Sequence, residues 1–203
     1  MKKSEKVGIM GGTFDPIHKG HLLLAQEAYY QLALNRVLFI PSGNSYMKNN
    51  VSETQNRVDM VRLAIRDYPY FELSLIEAQK SGNTYTYETL ESLTTLNPNT
   101  KYYFIMGADS LFQIEQWYQP ERIYKLAILV CAIRDDYDIM DIKAKGSMLE
   151  QAGAEIIYLD IPKIELSSTN IRAKVQKNLS ISNDVPVEVA NYIKQEHLYY
   201  EEY

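Results

Sequence analysis

A glycine turn followed by two histidines is the segment whose residue types best suit chemistry. Residues 11–21 read Gly-Gly-Thr-Phe-Asp-Pro-Ile-His-Lys-Gly-His. The two glycines let the backbone pass close to a bulky ligand, and Pro16 keeps Asp15 out of helical geometry. His18 and His21 stand three residues apart at the start of a predicted helix, which places both imidazoles on one side of its first turn. Because free amides and the helix dipole favour anions there, the segment predicts a phosphate site with imidazole donors.

Two other interpretations of the histidine pair remain open from the residues alone. The histidines can be surface residues at a helix start, or they can be part of a metal site. Two histidines without a nearby third ligand make a poor zinc site, so we predict no metal held by the protein. The chain also lacks the Gly-x-x-x-x-Gly-Lys and Gly-x-Gly-x-x-Gly patterns, which makes P-loop hydrolysis and the usual dinucleotide dehydrogenases poor candidates.

A second polar cluster lies far along the chain, where residues 166–172 read Leu-Ser-Ser-Thr-Asn-Ile-Arg. Its hydroxyls and amide precede a predicted helix, so several of them can cap that helix. Arg172 would lie one turn into it. Hydroxyls, exposed amides and a guanidinium together suit a triphosphate, although an ordinary serine or threonine helix cap is the alternative interpretation.

Strands alternating with helices must position these clusters. Short apolar or alternating runs predict strands at 7–10, 36–40, 71–76, 101–106, 126–130 and 155–159. Helical patterns begin near Gly20, at a capping-box spacing over 52–55, at Tyr85 (with Thr89, Leu90, Leu93 and Leu96 inward) and near Pro186. The tyrosine-rich ending, 199–203, predicts a C-terminal end packed by aromatic rings.

This alternation favours an α/β fold: a doubly wound, Rossmann-like, mainly parallel sheet flanked by helices. We expect a single domain over 1–203, with a small helical subregion from about residue 165. Ligands bind beyond the carboxyl ends of the strands in such sheets, and this rule selects residues 11–12 and 107–109.

Composition limits the class of partner. The 203 residues carry a net charge of −5, which favours no broad contact with nucleic acid. The single cysteine, Cys131, lies in an apolar run and is predicted to be buried filler. The apolar runs are too short for a membrane span or a signal peptide. We therefore expect a cytoplasmic, soluble protein and leave a homo-oligomer open.

Together these segments resemble the bacterial nicotinate mononucleotide adenylyltransferases, which belong to the nucleotidyltransferase superfamily marked by an H-x-G-H motif. The resemblance runs from residue 7 to about 198 and includes Tyr85-Thr86, Trp117-Tyr118 and the ending V-A-N-Y-I-K-Q-E-H-L-Y. The H-x-G-H element alone is shared with other adenylyl- and cytidylyltransferases and with some tRNA synthetases. The joint spacing of all these elements is far more specific.

The resemblance implies transfer of the adenylyl group of ATP to nicotinate mononucleotide, giving deamido-NAD and pyrophosphate in NAD biosynthesis, with Mg²⁺. It implies catalytic roles for His18, His21 and Arg172. The implied ATP-binding residues are Gly11, Gly12, Thr13, Phe14, Gly107, Asp109, Ser168 and Thr169. The implied mononucleotide-binding residues are Ser42, Lys48, Thr86, Trp117, Tyr118 and Arg134. From the residues alone, Trp117 can equally be a core tryptophan.

Two loops depart from the family pattern and bear on the acceptor. The family usually carries Pro-Pro-His-Lys where this chain has Ser45-Tyr46-Met47-Lys48, and Arg-Pro-Gly where it has Arg134-Asp135-Asp136. These loops leave open nicotinamide mononucleotide as the acceptor and a nucleotide-binding regulator without turnover. A phosphopantetheine adenylyltransferase is a further alternative because it shares a similar glycine turn and serine-rich motif, although residues 107–109 and Trp117 argue against it.

Overall fold

In the computed structural model, residues 4–43, 51–133, 138–162 and 166–200 are described. Within these ranges strands and helices alternate. The strands are β1 (Glu5–Gly12), β2 (Arg36–Pro41), β3 (Phe71–Leu73), β4 (Thr100–Gly107), β5 (Ile128–Ile133) and β6 (Ile156–Asp160). The helices are α1 (Lys19–Gln31), α2 (Thr54–Ile65), α3 (Thr86–Leu96), α4 (Ala108–Gln113), α5 (Pro120–Leu126), α6 (Ile139–Gln151), α7 (Ser168–Gln176) and α8 (Val187–Gln195), with a 3₁₀ turn at Ile114–Gln116.

All six strands are parallel, in the order β3-β2-β1-β4-β5-β6. The predicted α/β class and Rossmann-like sheet are confirmed. The chain runs outward from β1 in one direction and then from β4 in the other. The crevice where the order reverses therefore lies beyond the carboxyl ends of β1 and β4.

Burial on both faces explains why the strands are continuous apolar runs. Alternate residues of β1 enter different core layers: Val7 and Ile9 pack in one layer and Met10 in the other. Helices α1, α2, α7 and α8 cover the Met10 face, and α3 to α6 cover the opposite face. The expected helical subregion from about 165 corresponds to α7 and α8, which share their core layer with α1. Cys131 is fully buried, as predicted.

The predicted strand over 71–76 is wrong in its second half. β3 pairs with β2 only from Phe71 to Leu73. The amide of Ser74 still donates to the Phe39 carbonyl at 2.9 Å, and then the Gln79 amide closes a turn onto the Leu75 carbonyl at 3.0 Å. β3 is the edge strand of the described sheet and pairs with β2 alone. Once the chain turns away from β2, no strand on its other side keeps residues 74–76 in the sheet.

Three further expectations are also corrected. Ser52 does not cap α2, because the helix starts at Thr54 behind Glu53 and the Ser52 amide donates to the Asp15 carboxylate instead. Leu96 is 71% exposed because α3 ends there. Leu126, predicted to open a strand, ends α5. In the described ranges no helix is both long and apolar enough to cross a membrane.

Candidate functional site

Two adjoining cavities open at the carboxyl edge of the sheet. They share Gly11 at the end of β1, Phe104 on β4, Ser110 on α4, and Trp117. One, of about 390 Å³, is named here the histidine cavity because His18 and His21 line it. The other, of about 360 Å³, is named the threonine cavity after Thr13, Thr84, Thr86 and Thr89. Two cavities therefore lie beside residues 11–12, 107 and 109, where the sequence predicts a ligand crevice.

The histidine cavity brings together segments that are far apart in the sequence. Gly11, Gly107 and Asp109 line it from the strand ends, and Ser168 and Thr169 line it from the start of α7. The N-termini of α1 and α7 both reach this cavity. The positive ends of two helix dipoles then favour an anionic ligand.

The two imidazoles are stacked, with ring centroids 3.7 Å apart and planes inclined by 25°. His18 precedes α1 in extended geometry, and its backbone N–H donates to His21 Nδ1 at 3.2 Å. A nitrogen that accepts a hydrogen bond carries no proton, so neutral His21 carries its proton on Nε2. The backbone thus fixes the tautomer that can donate to a ligand oxygen.

Phe14, implied as an ATP-binding residue, lies outside both cavities. It is 2% exposed, and its ring meets the His21 ring edge-on at 5.1 Å and packs on Phe39. Its contacts orient His21 from the core side. Phe14 therefore supports an imidazole and does not line the crevice.

The missing side chain at Gly11 leaves space that a ligand can use, and protein packing does not require a glycine there. A Cβ built on Gly11 would meet the Phe104 ring at 3.6 Å, which is ordinary contact. Gly43 is different, since a Cβ there would lie 2.5 Å from the Glu77 carbonyl oxygen. Packing therefore requires the glycine at 43, whereas the missing side chain at 11 widens both cavities.

Arg172 is directed at the turn before α1. Its Nη1 donates to the Asp15 carbonyl at 2.7 Å, and Nη2 lies 3.5 Å from Thr169 Oγ1. The guanidinium is not among the residues that line either cavity. Ser168 Oγ donates to the Pro16 carbonyl at 2.9 Å, and the α7 cap is Ser167, which accepts from the Asn170 amide. Helix α7 is thus fastened to the glycine turn by two side chains.

The threonine cavity contains three of the residues implied for the mononucleotide, namely Ser42, Thr86 and Trp117, together with Gly12 and Thr13. The Trp117 ring meets Phe104 edge-on at 5.9 Å, and Trp117 lines both cavities. Trp117 is therefore a cavity residue that also packs against the core.

Tyr118 is 51% exposed and packs on Tyr85 and Tyr87, with ring centroids 4.8 and 5.7 Å away, so it does not line the cavity. Lys48 and Arg134, like residues 45–47, lie outside the described residues. Their implied roles stay predictions from the sequence.

Sequence reasoning missed a carboxyl group in the threonine cavity. Glu77 lines it, and Glu77 Oε1 accepts from the Thr89 hydroxyl at 2.8 Å. Burial raises the pKa of Glu77, while hydrogen bonds from Thr89 and Thr84 lower it. The sequence signal that could have found the threonine cavity is the spacing of Thr86 and Thr89, which places both hydroxyls on one face of α3.

Arg57 is a second missed residue and, within the described ranges, the largest fully buried side chain, at 2% exposure. Its guanidinium donates to the carbonyls of Thr13 (2.8 Å), Ser52 (3.0 Å) and Gly43 (3.3 Å). It also donates to Thr54 Oγ1 at 3.0 Å. Burial lowers the pKa of Arg57, and the neighbouring Asp15 carboxylate opposes that change. One cation thus joins the glycine turn to the loop after β2.

The arrangement offers two helix N-termini and hydroxyls to an anionic ligand in the histidine cavity, and hydroxyls to a second ligand in the threonine cavity. Among the described residues, no three His, Cys, Asp or Glu side chains are grouped to hold a metal ion. Asp109 is the carboxylate that lines the histidine cavity. An ion there would need most of its ligands from the substrate and from water.

Comparison with known proteins gives consistent matches. Residues 9–174 match the family described as Cytidylyltransferase-like. The probable nicotinate-nucleotide adenylyltransferase of Dehalococcoides mccartyi (strain CBDB1) is 42% identical over 204 residues, covering 97% of this chain and 98% of the relative. That of Lachnoclostridium phytofermentans is 44% identical over 191 residues, covering 93% and 96%.

A solved structure has the same fold. It is Plasmodium falciparum nicotinic acid mononucleotide adenylyltransferase complexed with NaAD, with a TM-score of 0.80 and 22% identity. The match covers 96% of this chain and 97% of that one. At 22% identity the structural similarity supports the fold alone. Family membership is shown by the sequence relatives, which are 42% and 44% identical.

Proposed function

We propose the following reaction for this chain, which belongs to the nicotinate-nucleotide adenylyltransferases within the cytidylyltransferase-like family: it transfers the adenylyl group of ATP to nicotinate mononucleotide, releasing pyrophosphate. The resemblance identified from the sequence motifs is thereby confirmed at the level of the family. The observation that carries the reaction is the pair of adjoining cavities that share Gly11 and Trp117. Two ligands bound there meet at the end of β1.

The chemistry needs alignment and charge stabilisation more than proton transfer. A phosphomonoester has a second pKa of about 6, so the mononucleotide phosphate is an ionised nucleophile at pH 7. Its oxygen forms a bond to the α-phosphorus of ATP while the bond from that phosphorus to the bridging oxygen of pyrophosphate breaks. No general base and no covalent enzyme intermediate are required. The protein holds the two anions in line and stabilises the charge that develops.

The histidine cavity suits ATP. The Nε2–H of His21, with the neighbouring His18, can donate to phosphate oxygens, and the N-termini of α1 and α7 favour the triphosphate. Ser168 and Thr169 add hydroxyls on the side where pyrophosphate would leave. Arg172 would contribute by fixing Asp15, or by turning toward the phosphates when ATP is bound.

The threonine cavity suits the mononucleotide. Its hydroxyls from Ser42 and Thr86 can donate to phosphate or ribose oxygens. Trp117 offers an indole ring at the junction, beside which a pyridine ring can pack. The bound acceptor would then point its phosphate toward Gly11 and the ATP side.

Mg²⁺ is part of the proposal. Because no acidic cluster is present in the described residues, the ion would enter with the phosphates of ATP and keep several waters, with Asp109 as the nearest carboxylate donor in that cavity. Bound in this way, it neutralises phosphate charge.

The proposed partners are the two small-molecule substrates, with no nucleic acid and no membrane. The net charge of −5 supports this restriction. A cytoplasmic location is also proposed, and it is supported by the single cysteine, Cys131, which is buried and cannot form a disulfide within the chain.

Pyrophosphate release by the purified protein with Mg²⁺-ATP tests the function. Nicotinate mononucleotide, nicotinamide mononucleotide and phosphopantetheine are offered in parallel, and we expect a strong preference for the first. Turnover only with another acceptor would keep the ATP site and overturn the acceptor assignment. ATP binding without turnover on any acceptor would support a regulator.

Lys48→Ala is expected to raise the KM for the mononucleotide more than the KM for ATP. The lysine is the residue of the family loop that this chain keeps, and losing one hydrogen bond to a charged group corresponds to about tenfold or more in affinity. Steady-state kinetics with each substrate varied in turn measures the two constants. Equal changes in both would place Lys48 away from the acceptor.

Gly11→Ala is expected to leave stability nearly unchanged and to weaken both substrates. The added methyl group meets the Phe104 ring at ordinary contact distance but narrows both cavities. An overpacked contact costs about 1–3 kcal/mol, or roughly 5- to 150-fold in affinity. Gly43→Ala is the matched control, since its clash is with protein backbone and should lower the melting temperature. Unchanged KM values in Gly11→Ala would show that the ligands do not approach this residue.

A further inference from the structure

The first backbone amide of α1 is bonded to a turn between α7 and α8. The Lys19 N–H donates to the Asp184 carbonyl at 2.9 Å, and Lys19 Nζ donates to the Ser182 carbonyl at 3.0 Å. The first amides of a helix have no partner within it, so a carbonyl from another part of the chain fixes where this helix begins. Lys19 is the residue between His18 and Gly20 in the H-x-G-H motif. The start of the histidine segment is therefore held by a turn that is distant in the sequence.

This turn is closed by hydrogen bonds and packed on the core. The amides of Asp184 and Val185 donate to the Ile181 carbonyl at 2.9 and 3.2 Å. Ile181 and Val185 are buried in the core layer that also contains α1. Tyr199 packs against the same layer, so the predicted aromatic packing of the C-terminal ending is present at that residue. The position of the Asp184 carbonyl is thus set by the fold on the side away from α1.

The side chain of Asp184 joins the turn to α7. It is 5% exposed, and its Oδ2 accepts from Lys174 Nζ at 2.6 Å. A hydrogen bond between two charged groups is stronger than a neutral one, and breaking it would leave a buried carboxylate without its cation. Asp184 therefore contacts α1 through its carbonyl and α7 through its carboxylate.

Two other bonds join α7 to the residues before α1, and both come from groups proposed to serve the substrate. Ser168 donates to the Pro16 carbonyl, and Arg172 donates to the Asp15 carbonyl. Ser168 lines the histidine cavity, whereas the residues of the Asp184 link line neither cavity. The Asp184 link can therefore be altered without changing a side chain that is proposed to contact substrate.

We propose that Asp184 is a positioning residue for the two histidines: it holds the start of α1 through the Lys19 amide and connects it to α7 through Lys174. The N-termini of both helices reach the histidine cavity, so their relative position decides whether the imidazoles and the α7 hydroxyls meet one triphosphate. A displacement of about 1 Å in such an arrangement can lower a rate about a hundredfold. The kinetic part of this inference rests on the proposed function, and the structural link does not.

Lys19→Pro removes the donor of this link and keeps the helix start. Proline is favoured at the first helical position, and His18, with φ −142° and ψ 168°, already has the extended geometry of a residue before proline. Lys19→Ala is the matched control, because it also loses the side-chain bond to Ser182 but retains the amide. We expect kcat to be about tenfold lower in Lys19→Pro than in Lys19→Ala, with the acceptor KM within about twofold in both. An equal kcat in the two variants would overturn the role of the amide.

The carboxylate is tested by a second set of variants, which retain every backbone donor. Asp184→Asn and Lys174→Met are each expected to lower kcat about fivefold. The double variant should be no slower than Lys174→Met alone, because the two side chains act as one pair. Glu188→Gln is the control, since it breaks another ion pair of the C-terminal region, at 2.9 Å from Arg66, that joins α8 to α2. Its kcat should be unchanged, and an equal fall there would reduce Asp184 to a structural role.

Hydrogen exchange separates this proposal from the reaction itself. In Asp184→Asn the Lys19 amide should exchange with solvent deuterium about fivefold faster, because its acceptor is less firmly held. If the wild-type protein turns over none of the three acceptors, the proposed function fails, and exchange at Lys19 still tests the link. Unchanged exchange at Lys19 overturns the link whatever the activity. Faster exchange with unchanged kcat in both Asp184→Asn and Lys19→Pro would overturn the positioning role.

Discussion

Alanine in place of His18 or His21 is expected to raise the activation barrier by about 2–4 kcal/mol, which is roughly 30- to 1,000-fold in kcat. The two rings stack at 3.7 Å in the cavity entered by the N-termini of α1 and α7. A donor directed at a phosphate oxygen is most valuable when charge develops there, so kcat should fall more than the KM for ATP rises. Steady-state pyrophosphate release, with circular dichroism to confirm folding, measures the effect.

Conservative and distant variants sharpen this test. His21→Asn keeps a side-chain amide donor and should recover part of the lost rate. His197→Asn changes the third histidine of the chain, which is exposed after α8 and has a φ of 50° that asparagine tolerates. It should leave kcat unchanged. Normal turnover in a well-folded double alanine variant at 18 and 21 would refute the catalytic assignment.

Sequence patterns within short segments predicted the strand end, the helix start and the histidine pair of this site. β1 and the start of α1 could be predicted from the sequence. A buried parallel strand is apolar on both faces, and in the helix that follows the apolar residues recur every three to four positions. The rule that ligands bind at the carboxyl ends then placed Gly11 and Gly107 correctly beside one crevice. Spacing within one helix turn likewise predicted that His18 and His21 share a side.

Hydrogen-bond and packing partners that are distant in the sequence could not be predicted, since no local pattern encodes them. Arg172 lies at the predicted helix position, yet its guanidinium contacts the carbonyl of Asp15, 157 positions earlier in the chain. Ser52 had the spacing of a helix cap, and its amide was instead recruited by the Asp15 carboxylate. Phe14 belongs to the motif but packs inward. At Ser52 a tertiary contact outweighed a helix-cap preference of about 1 kcal/mol.

Arg57 shows the same limit in its strongest form, because a cation on an amphipathic helix is normally read as part of the solvent face. Here it is buried under the glycine turn and donates to three backbone carbonyls, one in that turn and two in the loop after β2. These carbonyls belong to loops that no sheet ladder satisfies. A guanidinium can serve all of them because its five N–H groups are fixed in one plane.

Arg57→Ala is therefore expected to lower the free energy of unfolding by about 3–5 kcal/mol, since it removes a cation near the buried Asp15 carboxylate and leaves three carbonyls without its N–H donors. For a chain of this length that corresponds to a fall in melting temperature of roughly 6–20 °C. Arg57→Lys should recover only part of the loss, because one ammonium cannot reach three carbonyls in different directions. Arg62→Ala, on the same helix, removes an exposed arginine paired with Asp59 and should change stability by less than about 1 kcal/mol. Urea unfolding of the four proteins measures these differences. If Arg57→Ala were no less stable than Arg62→Ala, the loops around the glycine turn would have to be held by other contacts.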